Sequence, residues 1–243
     1  SKYSATKLPI RHVKQANQET GVQLEYRLTG IIGEGNMGRV WLAEQTSLGR
    51  EIAIKYPKRD ASPDTSPIDE MFVSEVRVTG KLDHPNIISI YELGRDELGS
   101  PFYTMKHVRG KSWLQLLKDQ TLEHKLDILL KVSDAIAFAH AKGYLHRDIK
   151  PENVMVGEFG EVVVMDWGIA IKDPLQNDDH SECHDRALEG TPAYMAPEMA
   201  TGFYTDLGVH SDIYLLGAVL YQMIEGIPPH PKTSDLFDAL EKV

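Results

Sequence analysis

The chain has 243 residues, 42% of them hydrophobic and 26% charged, with a formal net charge of −10. That length suffices to bury a sizeable core in one large domain or two closely packed lobes, and the acidic balance without a basic cluster speaks against nucleic-acid binding. A single cysteine, Cys183, excludes an intrachain disulfide and fits a reducing compartment; the longest strongly apolar run, residues 213–224, is too short to span a bilayer, and no signal peptide is visible.

Residues 1–22 are polar and weakly periodic, and are expected to form a mobile leader, with a regulatory arm packed on the fold as the alternative. From residue 24 the pattern changes. Leu24, Tyr26 and Leu28 alternate with polar residues, as in a half-buried strand. Gly33, Gly35 and Gly38 then stand in a G-x-G-x-x-G pattern, where missing side chains let the backbone approach phosphate oxygens. A dinucleotide-binding turn competes for this pattern but needs a helix after the glycines. Val40, Trp41, Leu42 and Ala43 predict another strand instead. Residues 51–55 predict a third, ending at Lys55. The Pro-, Asp- and Ser-rich stretch 57–67 reads as a loop. A helical pattern covers about 68–82, with Met71, Val78 and Leu82 among its apolar positions and Glu70 and Glu75 inside it. Strands follow at 87–93 and 102–108. A short helix begins at Trp113. A longer one covers 122–142, with Leu126, Leu129, Leu130, Val132, Ile136 and Ala139 on one apolar face and a stop at Gly143.

The next stretch carries the chemistry: His146, Arg147, Asp148, Ile149, Lys150, Pro151, Glu152, Asn153. Asp148 can accept a hydroxyl proton. Lys150 can neutralise charge on a transferred phosphoryl group. Asn153 can offer an amide oxygen to a hard cation such as Mg²⁺. Phosphoryl transfer asks little more of a protein than positioning and charge stabilisation. Short strands are expected at 154–156 and 162–165, followed by Asp166, Trp167 and Gly168. Residues 169–189 form a polar, acidic loop whose only Ser or Thr is Ser181. His180, Cys183 and His184 invite a zinc reading, but their spacing fits no standard site and a solvated loop is preferred. Gly190-Thr191-Pro192-Ala193-Tyr194-Met195-Ala196-Pro197-Glu198 comes next. Asp212 opens an apolar helix over 213–224, and one more helix is expected before Val243.

In this order, over residues 24–243, these motifs resemble the catalytic domain of the eukaryotic-like (Hanks-type) Ser/Thr protein kinases, of the bacterial kind. Ile149 stands where Leu is usual and Trp167 where Phe is usual. The resemblance implies an α+β, bilobal fold. A small antiparallel β lobe with its helix C covers 23–105, and a hinge and helical lobe cover 106–243, without the final helices. ATP and Mg²⁺, with Mn²⁺ as an alternative, would bind between the lobes. Gly33, Gly35 and Gly38 would cover the phosphates. Lys55 would grip them, held by Glu75, with Glu70 as runner-up. Val40 and Ala53 would lie above adenine and Met155 below it, with Met105 as gatekeeper and Lys106 and Val108 in the hinge. Asn153 and Asp166 would hold the metal, while Asp148 orients the acceptor hydroxyl and Lys150 stabilises the phosphoryl group.

The same resemblance implies that Thr191 contacts Asp148 and Lys150, that Asp212 anchors the loop backbone, and that Glu198 lacks its usual Arg partner. Thr79 replaces an apolar residue, which implies a looser helix C. Arg147 would clamp a phosphorylated loop residue, with Ser181, or the acidic Asp185 and Glu189, serving that role. The implied activity is γ-phosphate transfer from ATP to Ser or Thr of protein substrates, with self-association for autophosphorylation. The implied location is cytoplasmic, alone or within a longer membrane-anchored protein. The rival class is a nucleotide-binding pseudokinase scaffold, favoured by Trp167, Thr79 and the missing helices. Residues 190–198 argue against a third reading, a metabolite kinase.

Overall fold

Ile52 and Ile54 alternate along one strand and are fully buried. With Tyr26, Ala43 and Phe102 they form a core on which one half of the molecule is built. The structure, a computed structural model, describes residues 8–15, 24–35, 38–58, 66–176, 189–201 and 203–230. The chain forms two compact units, residues 1–80 with 89–107, and residues 81–88 with 108–243.

The first unit holds a six-stranded sheet in the order β1-β2-β3-β4-β6-β5. Its strands are β1 (Val13–Gln15), β2 (Tyr26–Gly35), β3 (Gly38–Gln45), β4 (Arg50–Pro57), β5 (Ile90–Arg95) and β6 (Pro101–Lys106). β1 runs parallel to β2, and the other pairings are antiparallel. The register sets Val40 opposite Lys55 and Ala53 opposite Met105. The β2–β3 hairpin returns at Gly38, where φ is 151° and a Cβ would lie 2.1 Å from the Tyr56 carbonyl oxygen. Only glycine fits there. Asn36 and Met37 lie outside the described residues.

Helix α1 (Ser66–Thr79) stops earlier than the expected 68–82. Gly80 follows it, and its N–H closes on the Val76 carbonyl at 2.8 Å. The buried stripe is Phe72, Glu75, Val76 and Thr79, whereas Met71 is exposed. The Thr79 hydroxyl donates to the Glu75 carbonyl, 2.8 Å away, so the polar side chain is satisfied within its own helix.

Residues 8–15 pack on the sheet, in keeping with the alternative of an arm on the fold rather than a mobile leader over that stretch. The Pro9 carbonyl accepts from Arg95 N–H at 2.9 Å, and Arg11 N–H donates to the Arg95 carbonyl at 2.8 Å. Two residues beyond Arg11, Val13 joins the core behind β2. The segment is thus a strap bonded to both β5 and β2. Arg11 reaches Glu92 and Glu25, and the His12 ring meets Glu97 at 2.6 Å. A three-residue strand is too short for periodicity to announce.

The second unit holds the helices α2 (Trp113–Leu116), α3 (Leu122–Ala141), α4 (Pro197–Ala200) and α5 (Val209–Glu225). Two small sheets accompany them. β7 (Gly110–Ser112), β9 (Val154–Gly157) and β10 (Val162–Val164) form one, while β8 (Tyr144–Leu145) and β11 (Ile171–Lys172) pair as the other. Residues 81–88 join this unit because Asn86 bonds main-chain atoms of Val162 and Val164 at 2.8 Å. Helix α3 buries Ile128, Val132, Ala135, Ile136 and Ala139. Leu126 and Leu130, expected on that face, are exposed. The helix is apolar on more than one side, so composition alone does not fix which side packs against α5. α5 opens three residues before Asp212 and ends at Gly226, with φ of 81°. No helix among the described residues is long and apolar enough to cross a membrane.

Candidate active site

In the first unit, Lys55 on β4 and Glu75 on α1 are both buried, and their Nζ and Oε1 lie 2.8 Å apart. Taking two charges out of water is costly unless they are paired and further bonded. Tyr103 on β6 supplies the further bond: its hydroxyl donates to Glu75 Oε1 at 3.0 Å. Its ring also lies 5.7 Å from the Lys55 ammonium. No spacing signal in the sequence pointed to Tyr103. Glu70, the alternative partner, is exposed. Met105 and Ala53 are buried side by side across β4 and β6. Val40 and Lys106 are half-buried. Gly33 sits opposite Val40, and Gly35 opposite Gly38.

In the second unit, β8 ends at Leu145 and the chain turns sharply. Arg147 has φ of 69°, and its neighbours His146 and Ile149 are buried. A non-glycine residue in that region costs about 1–3 kcal/mol and needs its surroundings to hold it. Asp212, fully buried on α5, does so. Its Oδ1 accepts from Arg147 N–H and its Oδ2 from His146 N–H, each at 2.8 Å. His140 of α3 bonds the same Oδ2 through Nε2 at 2.8 Å. His146 Nδ1 accepts from Asp148 N–H at 3.2 Å, and its Nε2 faces the Met165 carbonyl. The Trp167 ring, fully buried, lies 4.5 Å from the His146 ring.

These supports bring Asp148, Lys150, Asn153 and Thr191 together. Lys150 Nζ lies 2.7 Å from Asp148 Oδ2 and 2.6 Å from the Thr191 hydroxyl. That hydroxyl donates to Asp148 Oδ1, also at 2.6 Å. Asn153 Nδ2 donates to the Asp148 carbonyl and to Oδ2, both at 2.8 Å. With its nitrogen so engaged, Asn153 presents its amide oxygen. Met165 N–H bonds the Asn153 carbonyl at 2.8 Å, which brings the strand leading into Asp166 beside it. An amide oxygen and a carboxylate make an oxygen donor set, which suits a hard divalent cation. Met155, half-buried on β9, and Val108, buried, are also in this unit.

Glu198 has a neighbour among the described residues: His210 Nε2, 3.5 Å from its carboxylate. Burial, first, and then Glu152 push the Tyr194 hydroxyl up from its ordinary pKa, and it donates to Gln222. Ser181, Asp185 and the cluster of His180, Cys183 and His184 lie outside the described residues, as does the helix expected before Val243.

Residues 26–242 match the protein kinase domain family. The chain is 34% identical over 247 residues to the serine/threonine-protein kinase PknD of Protochlamydia amoebophila, covering 89% of this chain and 25% of that protein. It is 36% identical over 231 residues to the PknD of Chlamydia muridarum, covering 82% and 24%. It is 34% identical over 225 residues to the "Probable serine/threonine-protein kinase PknB" of Corynebacterium glutamicum, covering 90% and 34%. The chain thus spans a quarter to a third of the length of these relatives.

Proposed function

This chain belongs to the protein kinase domain family, and we propose that it is a serine/threonine protein kinase that moves the γ-phosphate of ATP to Ser or Thr hydroxyls of proteins. The observation that carries this reading is the hydroxyl of Thr191, held at 2.6 Å by both Asp148 and Lys150. The pair is shaped to bind an alcohol oxygen, with a proton acceptor on one side and a cation on the other.

In this reading Asp148 orients the acceptor hydroxyl and takes its proton as the new P–O bond forms, while the bond from the γ-phosphorus to the β,γ-bridging oxygen breaks and ADP leaves. Lys150 balances charge on the transferred group. Lys55, kept in place by Glu75, serves the α- and β-phosphates, under the backbone of Gly33, Gly35 and Gly38. Val40, Ala53 and Met155 serve the adenine ring, the main chain of Lys106 and Val108 its polar edge, and Met105 is the gatekeeper. Asn153 and Asp166 would hold Mg²⁺ or Mn²⁺. When bound, such a cation neutralises phosphate charge in the transition state. Copies of the chain phosphorylate one another, and the domain works in the cytoplasm.

The test is phosphate incorporation from labelled ATP, comparing the chain with its Asp148→Asn variant. Transfer should fall by about a thousandfold or more in the variant, while ATP affinity stays near that of the unaltered chain. Equal incorporation by both proteins would sink the assignment. Bound ATP with no transfer by either would favour the scaffold reading.

A further inference from the structure

Lys55 and Tyr103 stand directly opposite each other where β4 pairs with β6, so their side chains leave the sheet on the same face. Helix α1 meets that face with Phe72 and Glu75, which lie three residues apart and therefore side by side on the helix. The Tyr103 ring is 5.1 Å from the Phe72 ring and 5.7 Å from the Lys55 ammonium. Its hydroxyl donates to Glu75 Oε1 at 3.0 Å, and the same oxygen takes the Lys55 ammonium at 2.8 Å. One side chain thus touches both members of the buried ion pair and the helical turn that carries one of them. Among the described residues of α1, the buried ones are Phe72, Glu75, Val76 and Thr79. The Thr79 hydroxyl is engaged by the Glu75 carbonyl. Phe72 and Val76 make apolar contact, which is non-directional. Such contact holds helix against sheet without choosing where a carboxylate oxygen points. A hydrogen bond to a charged acceptor does choose.

We propose that Tyr103 is a positioning residue for the transfer: its hydroxyl sets the Glu75 carboxylate, and through it the Lys55 ammonium, where Lys55 meets the phosphates of ATP. The inference rests on the kinase reading above and deepens it, because the ion pair becomes a group of three. A glutamate's terminal torsion is broad. Without the hydroxyl the carboxylate turns more freely, and Lys55 follows it. ATP gains from the arrangement and adenosine, which has no phosphates, does not. Tyr103 therefore acts on recognition of the polyphosphate and not on that of the base.

The experiment uses the full chain and its Tyr103→Phe variant, which keeps the ring beside Phe72 and removes only the hydroxyl. Affinities for ATP with Mg²⁺ and for adenosine are measured by calorimetry. Transfer to a Ser/Thr peptide is measured with kcat and KM resolved for ATP and for peptide. In the variant, kcat/KM for ATP should fall by about 5- to 30-fold, as for loss of one hydrogen bond to a charged group, and ATP affinity by about threefold or more. Adenosine affinity and the KM for peptide should change by no more than about twofold, which also reports that the variant is folded. Glu75→Gln should lower kcat/KM for ATP too, and adding Tyr103→Phe to it should cost no more than about twofold further, because both act on one carboxylate. The inference is overturned if Tyr103→Phe keeps its kcat/KM for ATP, or if the two substitutions add in full. It is equally overturned if adenosine affinity falls as far as that for ATP, the mark of a merely structural role. Absence of transfer by the unaltered chain, with ATP bound, would instead remove the kinase reading on which the inference stands.

Discussion

Asp212 gathers the bonds that hold the catalytic loop. Its two oxygens accept from two backbone N–H groups and meet His140, all at 2.8 Å and out of solvent. Replacing it by alanine leaves the His146 and Arg147 N–H groups buried without their acceptor, at about 1–3 kcal/mol each, and releases the positive φ of Arg147. We expect Asp212→Ala to lose roughly 3 kcal/mol or more of stability in urea unfolding, and to depress kcat more than ATP affinity. Unchanged unfolding would contradict the anchoring role. At this scale motif spacing was a good guide. Asp148, Lys150 and Asn153 lie within one short loop, so the sequence itself brings them together. Lys55 and Glu75 stand at fixed offsets on a strand and a helix. Tyr103 and His140 were not legible, because each reaches its partner across the fold and has no local pattern to mark it. Glu189, whose carboxylate lies 3.8 Å from the buried Arg147 Nη1, was visible only as one of several acidic residues that could face it.

At the scale of elements, order and type were easier to read than faces and ends. The strand–glycine turn–strand reading holds because Val40, Trp41 and Leu42 continue as β3 rather than as a helix. α3 shows the limit. Eight of its residues from Leu122 to Ala139 are leucine, isoleucine, valine or phenylalanine, and the observed face through Ile128, Val132 and Ile136 is one of two its periodicity permits. For the strap over residues 8–15 a packed arm stood only as the alternative to a mobile leader, because its stabilisation is non-local. Arg11 is held by charges from elsewhere, and burial of Val13 depends on a core built by four other strands. Burial of part of a valine side chain and several main-chain bonds together contribute roughly 3 kcal/mol. We expect removal of residues 1–15 to reduce the stability of the first unit by about that amount. In hydrogen exchange, protection should be lost at the Tyr26 and Arg95 amides, which donate to the strap, and kept at Ile54. Equal protection in both proteins would show that the strap contributes nothing.

The molecule as a whole carries buried tyrosines in both units, and they set its limit in alkali. Burial is the first cause that raises Tyr26, Tyr56 and Tyr194 well above the ordinary tyrosine pKa, and Glu92 adds to it at Tyr26. A group raised in the folded state stabilises fully below its unfolded pKa, and that contribution is lost as pH rises through the folded value. The folded chain binds more protons than the unfolded one above about pH 10, so stability should fall there. Melting temperature followed from pH 8 to 11.5 should drop steeply past about 10. A flat profile would mean these hydroxyls ionise freely in the native state. The strap has a consequence of another kind, in the order of assembly. Arg11 and Glu92 are 81 residues apart in the chain, and His12 and Glu97 are 85. Closing loops of that length comes late in folding, since the entropy is lost before the contacts form. The strap is made before either of its partner strands, and its docking is complete only once β5 has been made and paired. A segment synthesised ahead of both strands that it joins is thus among the last to be fully bonded.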